Sequence, residues 1–191
     1  MFSKQQTALT TVGAAALACL LATQVAWTDR ASESRRLEGA WIAKVPGTPL
    51  QWAYTMTPDP SGREAVISGS IQVPFSPAAL IDPTLFPDAE SVSPMVGQAV
   101  MTGPNTADFT AIWYGLKKSS PFDQVVFIGV TSGKIKFTGK GKAEVTHNLG
   151  FYAPSTDANG DGLPDPGQAA TLCLPTTSID TRLTLLPPCT P

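Results

Sequence analysis

The chain has 191 residues, with 13 basic and 15 acidic side chains and a formal charge of −2. That balance argues against a nucleic-acid-binding surface, which needs concentrated positive charge. With 42 % hydrophobic residues and roughly 165 positions after the N-terminal segment, the chain has the size of one domain with its own core.

Residues 1–26 have the form of an export signal. Lys4 supplies the positive start, Thr7–Ala22 is an almost uncharged run of Ala, Leu, Val and Thr, and Ala22 or Ala26 offers a cleavage site. Ala8–Trp27, at about 20 residues, is also long enough for an uncleaved membrane anchor. Ala16-Leu17-Ala18-Cys19 approaches a lipoprotein box, with its Leu one place late. The expected location is therefore secreted, or bacterial periplasm and cell envelope. Residues 27–37 are polar and charged, a linker or one short helical turn.

From residue 38 to 191 the pattern is that of a single β domain. Ala40–Val45 and Leu50–Thr57 are short strands separated by the Pro46-Gly47-Thr48-Pro49 turn. In Arg63–Val73, Ala65, Ile67, Gly69, Ile71 and Val73 alternate with polar residues, as a half-buried strand requires. Residues 74–94 hold five prolines and are expected to form a long irregular loop, with a helical turn near Ala78–Ile81. Strands resume at Met95–Thr102, Thr106–Leu116, Gln124–Thr131, Lys134–Thr138 and Lys142–Tyr152, with turns that include Ser132-Gly133. Leu172–Leu174 and Arg182–Leu186 are expected as edge pieces. Eight or more short strands with tight connections describe an all-β fold, an antiparallel barrel of about eight strands or alternatively a β-sandwich. Lys134, Lys136, Lys140 and Lys142 alternate with Ile135 and Phe137, which places them on the wet face of a strand; a surface for anionic glycans or lipid headgroups is the alternative.

Leu37-Glu38-Gly39-Ala40-Trp41 resembles the Gly-x-Trp opening of the first strand in lipocalins and related calycins. The resemblance implies an eight-stranded barrel with Trp41 plugging one end. The inward aromatics of such a barrel either fill the core or line a pocket. Trp41, Trp52, Trp113 and His147 are the candidate ligand-binding residues.

Residues 157–165 read Asp-Ala-Asn-Gly-Asp-Gly-Leu-Pro-Asp. Asp157, Asn159 and Asp161 can point alternate oxygens at one hard cation, Gly162 allows the bend, Leu163 offers a carbonyl and Asp165 a further oxygen. The stretch resembles calcium loops of EF-hands, dockerins and thrombospondin type 3 repeats, which implies a structural Ca2+. It departs from the EF-hand pattern at the twelfth position, where Gln168 stands for a bidentate Glu, and Pro164 and Pro166 preclude an exiting helix. Without a metal, the same residues make an Asx/Gly turn. The chain has three cysteines. Loss of Cys19 with the signal leaves Cys173 and Cys189 as a disulfide that would brace the C-terminal tail, a stabilisation of roughly 3 kcal/mol.

His147 is the only histidine, so multi-histidine zinc sites are excluded. It lies between Val145 and Leu149 on an apolar strand face, either a general base at a cavity floor or a buried imidazole bonded to a carbonyl or hydroxyl. No Gly-x-Ser-x-Gly elbow or phosphate loop is present, and Glu64, Asp108, Asp123 and Glu144 are scattered carboxylates. The reading from sequence is therefore an exported barrel that binds a small apolar or amphipathic ligand, in a cavity of at least about 300 Å³. The alternatives are a calycin-like isomerase or cyclase using His147, and a calcium-dependent envelope or adhesion module.

Overall fold

The computed structural model describes residues 36–48, 50–70 and 85–184. Nine strands are present among them: β1 (Gly39–Lys44), β2 (Gln51–Pro58), β3 (Glu64–Ser70), β4 (Ser91–Val92), β5 (Met95–Gly103), β6 (Thr106–Lys117), β7 (Gln124–Gly139), β8 (Lys142–Tyr152) and β9 (Leu172–Arg182). All pairings are antiparallel, in the order β1-β2-β3-β5-β6-β7-β8-β9, and β9 returns to pair with β1. The result is a closed eight-stranded barrel rather than a sandwich. The two-residue β4 pairs with β6 at Leu116 and Gly115, beyond the end of β5, inside the stretch expected to be a long irregular loop without strands.

Strand alternation puts one set of side chains inside. On β6 the inward row is Ala107, Phe109, Ala111 and Trp113, all buried, and small and large residues alternate to fit a narrow barrel. On β8 it is Ala143, Val145, His147, Leu149 and Phe151. Each fully buried large side chain, Phe127 for example, stabilises by about 1.5–3 kcal/mol. Lys134, Lys136 and Lys142 stand on the exposed outer face, Lys140 is exposed in the β7–β8 turn, and Lys134 pairs with Asp108 at 2.8 Å.

Two expected boundaries do not hold. Ser132-Gly133 is no turn, because β7 runs unbroken for 16 residues. Gly133 lies opposite His147, and a Cβ there would stand 1.8 Å from the Thr146 carbonyl oxygen. Glycine at that point permits the close approach of two curved strands. The segments 172–174 and 182–186 are not separate edge pieces either. Residues 172–182 form one strand, paired with β8 along its length and with β1 from Ile179 to Arg182. Pro175 sits where β9 has no partner on the β1 side among the described residues, so its missing N–H leaves no ladder bond unmade.

One barrel end is closed by Trp41, which is 1 % exposed. Its ring lies 6.0 Å from that of Phe137, and the Arg182 guanidinium lies 5.0 Å from its centroid. Arg182 also donates to the Arg36 carbonyl at 2.9 Å. Leu37 is fully buried, so the end of the expected polar linker belongs to the core. The signal or anchor at 1–26, the helical turn near Ala78–Ile81 and Cys189 lie outside the described residues.

Candidate functional site

The opposite end of the barrel holds a small, partly open cavity of about 60 Å³. Trp52 and Tyr54 reach it from β2, Phe109 and Trp113 from β6, Thr131 from β7, His147 and Phe151 from β8 and Asp180 from β9. Trp113 and Phe151 meet edge-on at 6.0 Å, and the His147 ring takes edge contacts with Trp52 at 5.2 Å and Phe109 at 5.4 Å. Of the four expected ligand-binding residues, Trp52, Trp113 and His147 come together here. Trp41 does not. It plugs the other end, beside a larger depression of about 570 Å³ edged by Arg36, Phe137, Lys140 and Arg182. The interior volume also corrects an expectation, since about 60 Å³ is far below the roughly 300 Å³ expected of a carrier. The inward aromatics occupy most of the space.

Along one wall runs a buried row of polar side chains. Tyr54 Oη donates to Asp180 Oδ2 at 2.5 Å, and Ser178 Oγ donates to Asp180 Oδ1 at 2.5 Å. Ser178 has a single proton, already given to Asp180, so its 2.8 Å contact with His147 Nε2 makes the imidazole the donor. The network thereby assigns the Nε2–H tautomer and leaves His147 Nδ1 as an acceptor, with Thr131 Oγ1 at 3.5 Å. His147 is thus the buried, hydroxyl-bonded imidazole of the structural expectation, and it also lines the cavity.

Burial shapes the charges of this row. It lowers the His147 pKa from 6.5 to about 4, so the ring is neutral near pH 7. Burial raises Asp180 from 3.8 to about 6, against the hydrogen bonds from Ser178 and Tyr54, which lower it. Tyr54 is pushed well above its usual value, by burial first and then by the neighbouring Asp180. Three groups displaced toward their neutral forms in one apolar cavity mark it as the candidate site.

Sequence reading missed Ser178 and Asp180; Tyr54 is one of the strand aromatics it expects either to fill the core or to line a pocket. Asp180 is only 1 % exposed, whereas its neighbour Ile179 is 46 % exposed on the outer surface. Hydrophobic alternation is inverted on this part of β9, which hides both the strand and its acid. The remaining signal is a row of Thr176, Ser178 and Asp180 at period two.

The acidic loop lies in the connection from β8 to β9, after a short 3-10 turn at Pro154–Thr156. Asp157 accepts from the Asp161 and Gly162 amides at 3.0 and 2.9 Å, and Asn159 Oδ1 from Asp161 at 2.8 Å. Asp161 accepts from Leu163 at 2.8 Å, and Asp165 from Ala158 at 3.1 Å. Gly162 has φ +85°, the left-handed bend expected of it, and its carbonyl accepts from Tyr114 on β6 at 3.1 Å. The loop is therefore a self-bonded Asx turn pinned to the barrel wall. No group of three or more His, Cys, Asp or Glu side chains is gathered to hold a metal ion among the described residues. Cys173 is exposed on the outer face of β9, and its expected partner Cys189 lies outside the described residues.

Fold and cavity together define a closed antiparallel barrel with a narrow aromatic interior and one buried acid–hydroxyl–imidazole row. No family model and no curated protein matches the chain. A solved structure, EF1p2_mFAP2b bound to DFHBI, is similar at 15 % identity and a TM-score of 0.44, covering 81 % of this chain and 98 % of that one.

Proposed function

We propose that this chain is a lipocalin-like binding barrel that takes a small, mainly apolar molecule into its aromatic end. The observation that carries this reading is the partly open, almost wholly apolar cavity lined by Trp52, Phe109, Trp113 and Phe151. The Gly39-x-Trp41 opening and the place of Trp41 at a barrel end support the lipocalin-like assignment. A volume of about 60 Å³ limits the guest to a small ring, a short chain or the end of a longer molecule. Trp52 and Trp113 serve as reporters: small apolar compounds are expected to change their fluorescence saturably and to raise the melting temperature. Ala111→Leu, which adds three carbons beside Trp113 in the cavity, is expected to abolish both changes. Unchanged fluorescence and melting across a panel of such compounds would overturn the reading.

A second reading, a calycin-like isomerase or cyclase, is supported by His147 lining the same cavity as Asp180 and Tyr54. It is the weaker one, because His147 Nε2–H is already given to Ser178 and burial lowers the basicity of the ring.

Calcium binding at 157–165 is proposed on residue types and spacing alone. A carboxylate oxygen that accepts one amide keeps a second lone pair for a cation. Excess chelator is expected to lower the melting temperature of the purified chain, and Asp157→Ala to reproduce the effect. Identical melting curves with chelator and with calcium would refute a bound ion of consequence.

A further inference from the structure

Asp180 lacks a counter-ion among the described residues. It is 1 % exposed, yet both its hydrogen-bond partners, Tyr54 and Ser178, are neutral hydroxyls, and it makes no ion pair with Lys or Arg among the described residues. Arg182, two positions along β9, turns its guanidinium to the Trp41 ring and the Arg36 carbonyl. The nearest base of the row, His147, reaches Asp180 only through Ser178. Buried carboxylates are ordinarily paired, because an isolated charge in an apolar interior is costly.

The same cavity has the lining that attracts organic cations. Trp52, Tyr54, Phe109, Trp113 and Phe151 present aromatic surface, Asp180 is the one carboxylate, and no Lys or Arg lines it among the described residues. A cation against aromatic faces is attracted by the negative face of the ring quadrupole. A hydrogen bond from a charged donor to a carboxylate is stronger than one between neutral groups. A neutral guest of the same shape gains neither and leaves the carboxylate uncompensated.

We infer that the guest is a small organic ammonium ion, its alkyl or aryl part against the indole and phenyl rings and its N–H groups directed to Asp180. This inference rests on the binding reading above and names the ligand class for that site. Each Asp180 oxygen accepts one hydroxyl and keeps a lone pair for the ammonium, so Tyr54 and Ser178 need not move away. The two hydroxyls act as positioning groups, holding the carboxylate toward the aromatic wall.

The test compares isobutylamine with isobutanol, matched in shape and different in charge, by calorimetric titration of the full chain near pH 7.5. The wild type is expected to bind the amine at least about tenfold more tightly. Asp180→Asn is expected to erase that preference and bring the two affinities together. Equal affinities in the wild type would overturn the ammonium inference and leave the apolar-binding reading standing. Failure of both compounds to bind would remove the inference together with the reading it rests on. A variant that does not fold changes nothing, since the wild-type pair of titrations decides by itself.

Discussion

Replacing Trp41 by alanine is expected to destabilise the barrel by about 3–5 kcal/mol, among the largest effects a single core substitution produces. The indole is 1 % exposed and is held between the Phe137 ring and the Arg182 guanidinium, and Arg182 in turn holds the Arg36 carbonyl. Its removal leaves a void that neighbouring strands cannot fill, because β1 is fixed on both sides by ladders to β2 and β9. It also frees the entry to β1 next to Leu37. Trp41→Phe is expected to recover most of the loss. It keeps an aromatic plug and removes an indole N–H that has no hydrogen-bond partner among the described residues. Urea unfolding followed by far-ultraviolet circular dichroism measures both variants. A loss under about 1 kcal/mol for alanine would show that Trp41 is not what closes that end.

The second large effect is a pair of opposed pH dependences. His147 has its pKa lowered by burial from 6.5 to about 4, so the unfolded chain binds more protons than the folded one between those values. Its contribution to stability is present above pH 6.5 and is lost as pH falls through about 4. Asp180 has its pKa raised by burial from 3.8 to about 6, so here the folded chain binds more protons. That contribution is present below pH 3.8 and is lost as pH rises through about 6. At about 1.4 kcal/mol per pKa unit, each swing is about 3 kcal/mol, and the two run in opposite directions over the same window. The wild-type profile is therefore expected to be nearly flat between pH 4 and 6.5 from these two groups. Asp180→Asn should rise in stability with pH across that window, and His147→Gln should fall. Urea unfolding at a series of pH values gives the slopes. Exposed carboxylates are common to all three proteins and cancel in the comparison. Parallel profiles would mean that neither group carries the perturbed charge its burial implies.

How much was legible beforehand depends on whether pattern and neighbourhood agree. Lys142–Tyr152 was read with its observed limits, because Ala143, Val145, Leu149 and Phe151 alternate with polar outward residues and glycines mark the hairpin before it. Gly39-x-Trp41 pointed to a plugged barrel end, and Trp41 occupies one. Ser132-Gly133 misled, since a glycine that admits a neighbouring backbone looks in one dimension like a turn glycine. On β9, Pro175 and a polar inward row erased the amphipathic pattern, so the strand that closes the barrel and carries Asp180 was read as fragments.

Of the candidate site, Trp52, Trp113 and His147 were named from residue type and strand position, and the cavity joins them. Tyr54 and Asp180 were not paired, because nothing local couples residues 126 positions apart. Their hydrogen bond bridges from β2 to β9, the two strands that flank β1. The volume of the interior was equally out of reach, because it depends on how the inward rings of all eight strands interlock.

The amino-acid sequence by itself determined that this is an antiparallel β domain, since period-two hydrophobicity and turn residues act over a few neighbouring positions. Only the tertiary structure decided that β9 returns to β1, that about 60 Å³ is left at one end, and that the buried Asp180 is among the residues lining it. Closure sets which inward rows confront one another across the barrel. That confrontation is a property of register around all eight strands, which no single segment of the chain encodes.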